Sequence, residues 1–428
     1  MRSFAAPDTP TKYDQVGVIK VGSASAKNVL VLEPGTSAAG AYFVPLAEWI
    51  VAKTKGWQVW AVVRRESLLE DQSELNLFKE GKATATQLFD YYLGYLKNPS
   101  ITKHIQAISN SSVEFAKQWG MNVAVQDLHT VITAAKKLGG KVVLGGHSLG
   151  GSVVTAYATW DFNGHAGADD LAGLVYIDGG SAPSAVSALG ATQELQSLDA
   201  PTQTPWLAFG GIPAPYAGIF NATGSATALL DPNGPSQSQS SELLPSDIVP
   251  PVPVTNVGQY GYALNAATSP ASLLAAQAHL GAGLTASGGW NGTGALTPIK
   301  RFATMFSGYP MKNADGTEWY FPQRLTDDTG AVDNGNANPA QQVLDVDATM
   351  GHHLPKDLRI YAFGARLGGE GVLQDATILA EQSHIPLSNL TLVNRQSTYS
   401  HNDPAGAYPN NAFFEYLVPF LKEIGSHG

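Results

Sequence analysis

The chain has 428 residues, of which 44% are hydrophobic and only 14% are charged, and its formal net charge is −10. This acidic balance argues against binding to nucleic acid or to an anionic membrane surface, so neither partner is expected. The absence of cysteine excludes disulfides, thiolate catalysis and cysteine-ligated metal sites. The sequence contains no run of 18 apolar residues, so no membrane span is predicted. The sequence is compatible with two cellular locations of the protein: secreted or periplasmic as a mature chain, or cytoplasmic.

The beginning of the chain has the pattern of an α/β domain. Apolar runs at residues 16–21, 28–32 and 57–63 predict three strands, and residues 41–55 predict a helix between the last two. Residues 29–32 of the second run are continuously apolar, as in a strand that is buried on both faces. Residues 67–110 then break this rhythm, and we interpret them as an insertion at the rim of the core.

The middle of the chain predicts a strand, a sharp turn and a helix around one serine. Residues 112–138 have the pattern of an amphipathic helix, and residues 142–144 predict a buried strand. The sequence G-H-S-L-G at 146–150 fits the G-x-S-x-G pattern of a nucleophile elbow. The pattern alone is weak, since G-T-S-A-A at 35–39 nearly fits it too. The strand before the turn and the helix after it favour Ser148 as a nucleophile.

A change of composition divides the rest of the chain. Residues 172–177 predict another strand, which ends at Asp178. Residues 181–355 are rich in Ala, Ser, Gly, Pro and aromatic side chains and lack strand–helix alternation. We interpret this stretch as a mostly helical and irregular cap that is inserted into the core.

The strand–helix pattern returns after the cap and predicts a mostly parallel central sheet flanked by helices. The elements are strands at 358–363 and 390–393 and helices at 372–382 and 412–424. The predicted organisation is a first core part at 13–180 with its rim insertion at 67–110, a cap at 181–355, and a second core part at 356–428.

A serine hydroxyl is a weak nucleophile until a base removes its proton, and the base required here is a histidine. Catalytic groups of such sheets lie at the carboxyl ends of the strands. Of the ten histidines, His401 follows the last predicted strand. His352, His353 and His384 precede strands and so belong at the opposite edge. His147 adjoins the nucleophile and is expected to point away from it. We favour His401 as the candidate base.

These features resemble the α/β-hydrolase superfamily, whose catalytic residues follow the chain order serine, acid, histidine. The resemblance implies that Ser148 is the nucleophile and His401 the general base. It also implies a sheet covered by helices with a large inserted cap. The matching residues are roughly 15–65, 112–180 and 356–424.

The resemblance leaves two positions open for the acid that orients the histidine. Family members usually carry it in a Gly-x-x-Asp pattern after the strand that follows the cap. Residues 364–367 read G-A-R-L, and Glu370 is the nearest carboxylate beyond them. Other members carry the acid one strand earlier, where Asp178 lies. We favour Asp178, with Glu370 as the alternative.

The resemblance also implies an oxyanion hole formed by two backbone N–H groups, those of Leu149 and Thr36. Thr36 follows a Pro-Gly pair where the family usually has His-Gly. The implied activity is hydrolysis of a carboxylic ester through an acyl-enzyme on Ser148, without a cofactor or a metal. The aromatic-rich cap predicts a small-molecule, apolar ester as substrate. A lactonase, a thioesterase, an acyltransferase with the same triad, or a non-catalytic binding protein are the alternatives.

Overall fold

A seven-stranded sheet forms the centre of the computed structural model, which describes residues 1–181 and 186–426. The strands of the described residues are β1 (Gly17–Val21), β2 (Asn28–Glu33), β3 (Trp57–Val63), β4 (Val142–His147), β5 (Gly173–Ile177), β6 (Gly283–Leu284), β7 (Trp290–Asn291), β8 (Arg359–Gly364) and β9 (Leu390–Asn394). The sheet has the order β1-β3-β2-β4-β5-β8-β9, and β1 is antiparallel to β3 while the other neighbours are parallel. Strands β6 and β7 form a separate two-stranded ribbon. The predicted mostly parallel central sheet is confirmed.

Helices cover both faces of this sheet. The helices of the described residues are α1 (Val44–Lys53), α2 (Ser73–Lys79), α3 (Ala85–Tyr92), α4 (Met121–Lys136), α5 (Leu149–Ala158), α6 (Ala188–Asp199), α7 (Tyr216–Leu230), α8 (Asn256–Leu264), α9 (Ile299–Ser307), α10 (Gln323–Asp327), α11 (Pro339–Leu344), α12 (Gly369–Gln382), α13 (Asp403–Gly406) and α14 (Ala412–Ser426). Among the described residues, no helix combines the length and the apolar composition needed to cross a bilayer.

The central position of β2 explains why its residues 29–32 are all apolar. Its side chains alternate between the two faces of the sheet, as in any strand. Val29 and Val31 pack in one cluster with residues of α4, α5 and α12, whereas Leu30 and Leu32 pack in a second cluster with residues of α1 and α14. Both faces are therefore buried, which is the condition under which parallel sheets are stable.

The predicted bounds of one helix differ from the structure because a distant side chain defines its beginning. Residues 112–138 have a helical pattern, but α4 begins only at Met121, after a short 3₁₀ turn at Glu114–Gln118. The backbone N–H of Met121 donates to the Asp328 carboxylate at 2.8 Å. A carboxylate satisfies a free N–H group and the positive end of the helix dipole there.

The segment that joins β3 to β4 and the segment that joins β5 to β8 pack on each other, and the latter also packs on the sheet. Leu88 and Tyr92 of the rim insertion share a buried cluster with Ile219 and Ala222 of α7. Leu344, at the end of α11, belongs to the same cluster as the α4 and α5 face of the sheet. Residues 182–185, at the beginning of the predicted cap, lie outside the described residues.

The strand order opens a crevice at the carboxyl ends of β2 and β4. The chain runs from β2 to its neighbour β3 on one side and later returns to β4 on the other side of β2. Because of this reversal, the loops that follow β2 and β4 lead away from each other and leave a crevice between them. Ligands of α/β sheets bind in such a crevice. The loop at residues 34–39 and the turn at Ser148 meet at this point.

We expect Gly146→Ala to destabilise the protein by about 2–4 kcal/mol, since the added carbon has no room beside backbone. A β-carbon at Gly146 would overlap the carbonyl group of Gly150 and lie 2.8 Å from the backbone N of Gly151. Gly371→Ala is the matched control, because a β-carbon there meets open space in α12. It should stabilise the fold by ~0.5–1 kcal/mol. Urea unfolding of both variants measures the difference, and equal midpoints would contradict this account of the elbow.

Candidate active site

Ser148 occupies a strained turn between β4 and α5. Its φ is 57° and its ψ is −129°, a backbone conformation that is costly for a residue with a side chain. Its N–H donates to the carbonyl of Ile177 at 3.0 Å, and its own carbonyl accepts from Gly151 N–H at 2.8 Å. These bonds hold the turn, and the half-buried serine lies in the lining of a cavity above the sheet.

His401 and Asp178 form a buried pair in front of this turn. The Nδ1 atom of His401 lies 2.6 Å from Oδ2 of Asp178, and the two side chains are 1% and 0% exposed. A carboxylate at this distance keeps the proton on Nδ1. His401 lines the same cavity as Ser148. Among the described residues, neither Nε2 of His401 nor Oγ of Ser148 has a hydrogen-bond partner, so the two are not bonded to each other.

The Asp178 carboxylate is held by the loop between β8 and α12. Burial pushes its pKa upward, but the hydrogen bond and charge of His401 and a backbone N–H outweigh burial, so the pKa is lowered. Asp178 is therefore ionised at neutral pH. The four backbone N–H groups that donate to it, at 2.7 to 3.3 Å, are those of Ala365, Leu367, Gly368 and Gly369.

Glu370 lies away from this pair. It is exposed at the beginning of α12, and its backbone N–H donates to the side chain of Gln396 at 3.2 Å. No hydrogen bond or ion pair of the described residues joins its carboxylate to His401. Of the two acids left open by the sequence, the structure brings Asp178 to the histidine.

His147 contacts His401, although the sequence led us to expect only that it points away from Ser148. The ring centroids of the two histidines are 4.3 Å apart, and Nε2 of His147 lies 2.9 Å from the His401 carbonyl oxygen. Burial, followed by the charge of His401, lowers the pKa of His147 to about 3. A neutral His147 thus donates to the backbone of His401. Tyr42 extends the contact by donating to Asn402 Oδ1 at 2.8 Å.

Two backbone N–H groups flank Ser148 without a partner among the described residues. Leu149 is the first residue of α5, where the N–H groups of a helix have no acceptor within the helix. Thr36 follows β2 and lines the cavity. Gly35 allows this loop to approach the serine, because a β-carbon there would lie only 2.7 Å from Ser148 Cβ. Both N–H groups are available to a developing negative charge.

The cavity has a volume of about 130 Å³ and lies between the carboxyl ends of the strands and the residues that join β5 to β8, called the inserted segment below. The side chains that the inserted segment contributes are mainly apolar and include Phe209, Ile212, Phe220, Ile248, Leu264 and Leu273. In the part of the chain that the structure describes, no group of three His, Asp or Glu side chains could hold a metal ion.

Asp403 lies two residues after His401 and was not singled out by the sequence. It is buried and accepts hydrogen bonds from His279 Nδ1 at 2.6 Å, Thr297 Oγ1 at 2.7 Å and Ser400 N–H at 2.6 Å. His279 and Thr297 belong to the inserted segment. One carboxylate therefore connects that segment to the loop that carries His401.

Comparisons with known proteins find similarity in structure only. No protein-family model matches the chain, and no curated protein matches it in sequence. A proposed lipase from Sulfolobus solfataricus is 14% identical with a TM-score of 0.48, over 99% of this chain and 90% of that one. A monoacylglycerol lipase from Paleococcus ferrophilus is 12% identical with a TM-score of 0.41, over 97% and 100%. A soluble variant of monoglyceride lipase from Saccharomyces cerevisiae is 10% identical with a TM-score of 0.39, over 96% and 92%.

The assignment of the fold depends on the chain's own geometry, because these TM-scores are below 0.5. A mostly parallel sheet with helices on both faces and a strained serine turn between strand and helix are features of the α/β-hydrolase fold. The chain order of Ser148, Asp178 and His401 is also the order in that fold.

The neutral, buried state of His147 predicts a loss of stability in acid. The folded protein excludes a proton that the unfolded chain binds below pH ~6.5, so the free energy of unfolding falls by about 1.4 kcal/mol for each pH unit below that value. This loss continues toward the folded pKa of about 3. Urea unfolding at pH 8 and pH 5 should show that the wild type loses about 2 kcal/mol more than His147→Gln. Equal losses in the two proteins would mean that His147 is protonated in the folded state.

Proposed function

We propose that this protein is a serine hydrolase that cleaves carboxylic esters, with Ser148 as nucleophile, His401 as general base and Asp178 as the acid. The observation that supports this most strongly is the buried pair of His401 and Asp178, bonded at 2.6 Å beside the strained serine turn. A buried carboxylate that fixes one imidazole nitrogen leaves the other nitrogen as a proton acceptor.

The proposed reaction begins when Ser148 Oγ attacks the carbonyl carbon of the ester and passes its proton to His401 Nε2. Asp178 stabilises the imidazolium that forms. The N–H groups of Leu149 and Thr36 donate to the oxyanion, and one such donor is worth about 10²–10³ in rate. His401 then protonates the leaving alcohol, and an acyl group remains on Ser148. Water, activated by the same histidine, completes the hydrolysis.

The absence of a direct bond between Ser148 and His401 is compatible with this role. Catalytic hydrogen bonds are often long or misaligned without substrate and tighten when the substrate is bound. The two residues line the same cavity, and the Nδ1–H of His401 is fixed by Asp178. Nε2 is thus the ring nitrogen that can serve the serine.

The substrate we propose is a small ester with an apolar acyl or alcohol group. Apolar side chains of the inserted segment surround the cavity, and such walls exclude water and select apolar ligands. In this proposal residues 13–180 and 356–428 carry the triad, and residues 181–355 act as a cap over it. Lactones and thioesters would require the same catalytic groups.

A non-catalytic binding protein is less well supported. The positive φ of Ser148 opposes folding. Local costs of this kind are retained where function requires them.

We expect Ser148→Ala to abolish hydrolysis of p-nitrophenyl esters, because it removes the nucleophile without altering the fold. Wild type should prefer the chain length that fills the apolar cavity, which a series of acyl chains measures. Ser152→Ala is the control, since Ser152 lies one helical turn further along α5 and donates to the Gly180 carbonyl at 2.8 Å. A Ser148→Ala variant that retains activity would disprove the mechanism.

The identity of the acid gives a second expectation. Asp178→Asn should lower kcat by about 10⁴-fold, because an amide favours the wrong histidine tautomer. Glu370→Gln should stay within about two-fold of wild type, as expected for an exposed side chain remote from the reaction. Steady-state kinetics on one ester measures both, and the reverse order of effects would assign the acid to Glu370.

A further inference from the structure

We propose that Arg64 is a positioning residue for the oxyanion hole. By holding the Gly35–Thr36 peptide, Arg64 directs the Thr36 N–H toward the reacting carbonyl. This inference rests on the function proposed above. Arg64 is not among the residues that the triad requires, and it touches the loop rather than the substrate.

The contacts of Arg64 converge on the loop that follows β2. The residue lies directly after β3 and its side chain is 5% exposed. Its Nη1 donates to the carbonyl of Pro34 at 2.8 Å, and its Nη2 donates to the carbonyls of Gly35 at 2.7 Å and Ala38 at 3.3 Å. Three backbone carbonyls of one short loop therefore point toward a single guanidinium.

Planarity of the peptide turns this contact into an orientation of the Thr36 donor. In a trans peptide the C=O and N–H groups point in opposite directions. Because the Gly35 carbonyl points to Arg64, the N–H of Thr36 points away from it. Gly35, Thr36 and Ser148 all line the cavity. The positively charged guanidinium, which donates to the Gly35 carbonyl oxygen, also polarises this peptide and strengthens its N–H as a donor.

Two buried carboxylates fix the orientation of the guanidinium. Arg64 lies 2.8 Å from Glu33 and 3.0 Å from Glu318, whose side chains are 2% and 1% exposed. Glu318 also braces the loop with its backbone, since its N–H donates to the Ser37 carbonyl at 2.9 Å. A planar fork with five donors can serve two carboxylates and three carbonyls together, which a lysine cannot.

The next residue provides a matched control. Arg65 is also buried and ion-paired, to Asp14 at 3.1 Å and Asp127 at 2.6 Å, and it donates to the carbonyl of Phe4. Its hydrogen bonds reach no residue of the loop at 34–39. Arg65→Lys therefore removes similar buried bonds without changing the support of Thr36.

The test compares Arg64→Lys, Arg65→Lys and wild type in two reactions, ester hydrolysis and labelling of Ser148 by a fluorophosphonate. Arg64→Lys should lower kcat and the maximal labelling rate by about 10–100-fold, with KM and the fluorophosphonate KI within about three-fold. Arg65→Lys should keep all four constants within about three-fold, although thermal unfolding shows a loss of stability. Equal losses of kcat in the two variants, or a loss confined to KM, would overturn the proposal.

Labelling separates this inference from the proposed function. If wild type is labelled at Ser148 but hydrolyses no ester, the ester substrate is wrong, and the labelling rates still decide the role of Arg64. A wild type that is not labelled at all overturns both.

A second variant covers the case in which Arg64→Lys does not fold. Glu318→Gln leaves the guanidinium in place but replaces one of the two carboxyl groups that orient it with an amide. It should lower kcat and the maximal labelling rate by about 3–10-fold at unchanged KM. A folded Glu318→Gln variant with the kcat of wild type would overturn the proposal.

Discussion

The hydrogen bond between His401 Nδ1 and Asp178 Oδ2 is the interaction on which the arrangement of the site depends. It joins residues that are 223 positions apart in the chain. A carboxylate without partners would be costly at this depth. Backbone N–H groups of the β8–α12 loop offset that cost. The parallel order of β5, β8 and β9 makes the contact possible, since it brings the ends of these strands to one edge of the sheet.

The serine turn imposes a different requirement, because the backbone packs so closely around it that there is no room for further side chains. Its φ of 57° is stable only while β4, α5 and the loop after β2 hold it from three sides. Glycines supply the space at these approaches, and a β-carbon at Gly35 would lie 2.7 Å from Ser148 Cβ. The glycine content near the turn is thus a consequence of close backbone packing.

The sheet could be predicted from the sequence because local patterns determine it. Apolar runs mark the strands of a sheet that is buried on both faces, and the glycine-flanked serine marks the turn. The acid could not be derived from local patterns, and only the resemblance to a family suggested Asp178. The beginning of α4 was predicted wrongly, since it depends on a carboxylate 207 residues away. Arg64 and His147 were missed as site residues for the same reason, because partners up to 254 positions away define their contacts.

Buried charges organise the backbone of this site in two complementary ways. Asp178 accepts hydrogen bonds from backbone N–H groups, and Arg64 donates hydrogen bonds to backbone carbonyl groups. Each residue therefore fixes the orientation of peptides, which a hydrophobic side chain would not do. Asp403 adds a third instance, in which its carboxylate binds Ser400 N–H and the side chain of His279 together. The hydrogen bond to Asp403 raises the pKa of His279, which favours an ion pair between them. The inserted segment is therefore attached two residues from His401, and its position and that of the histidine loop are coupled through one carboxylate.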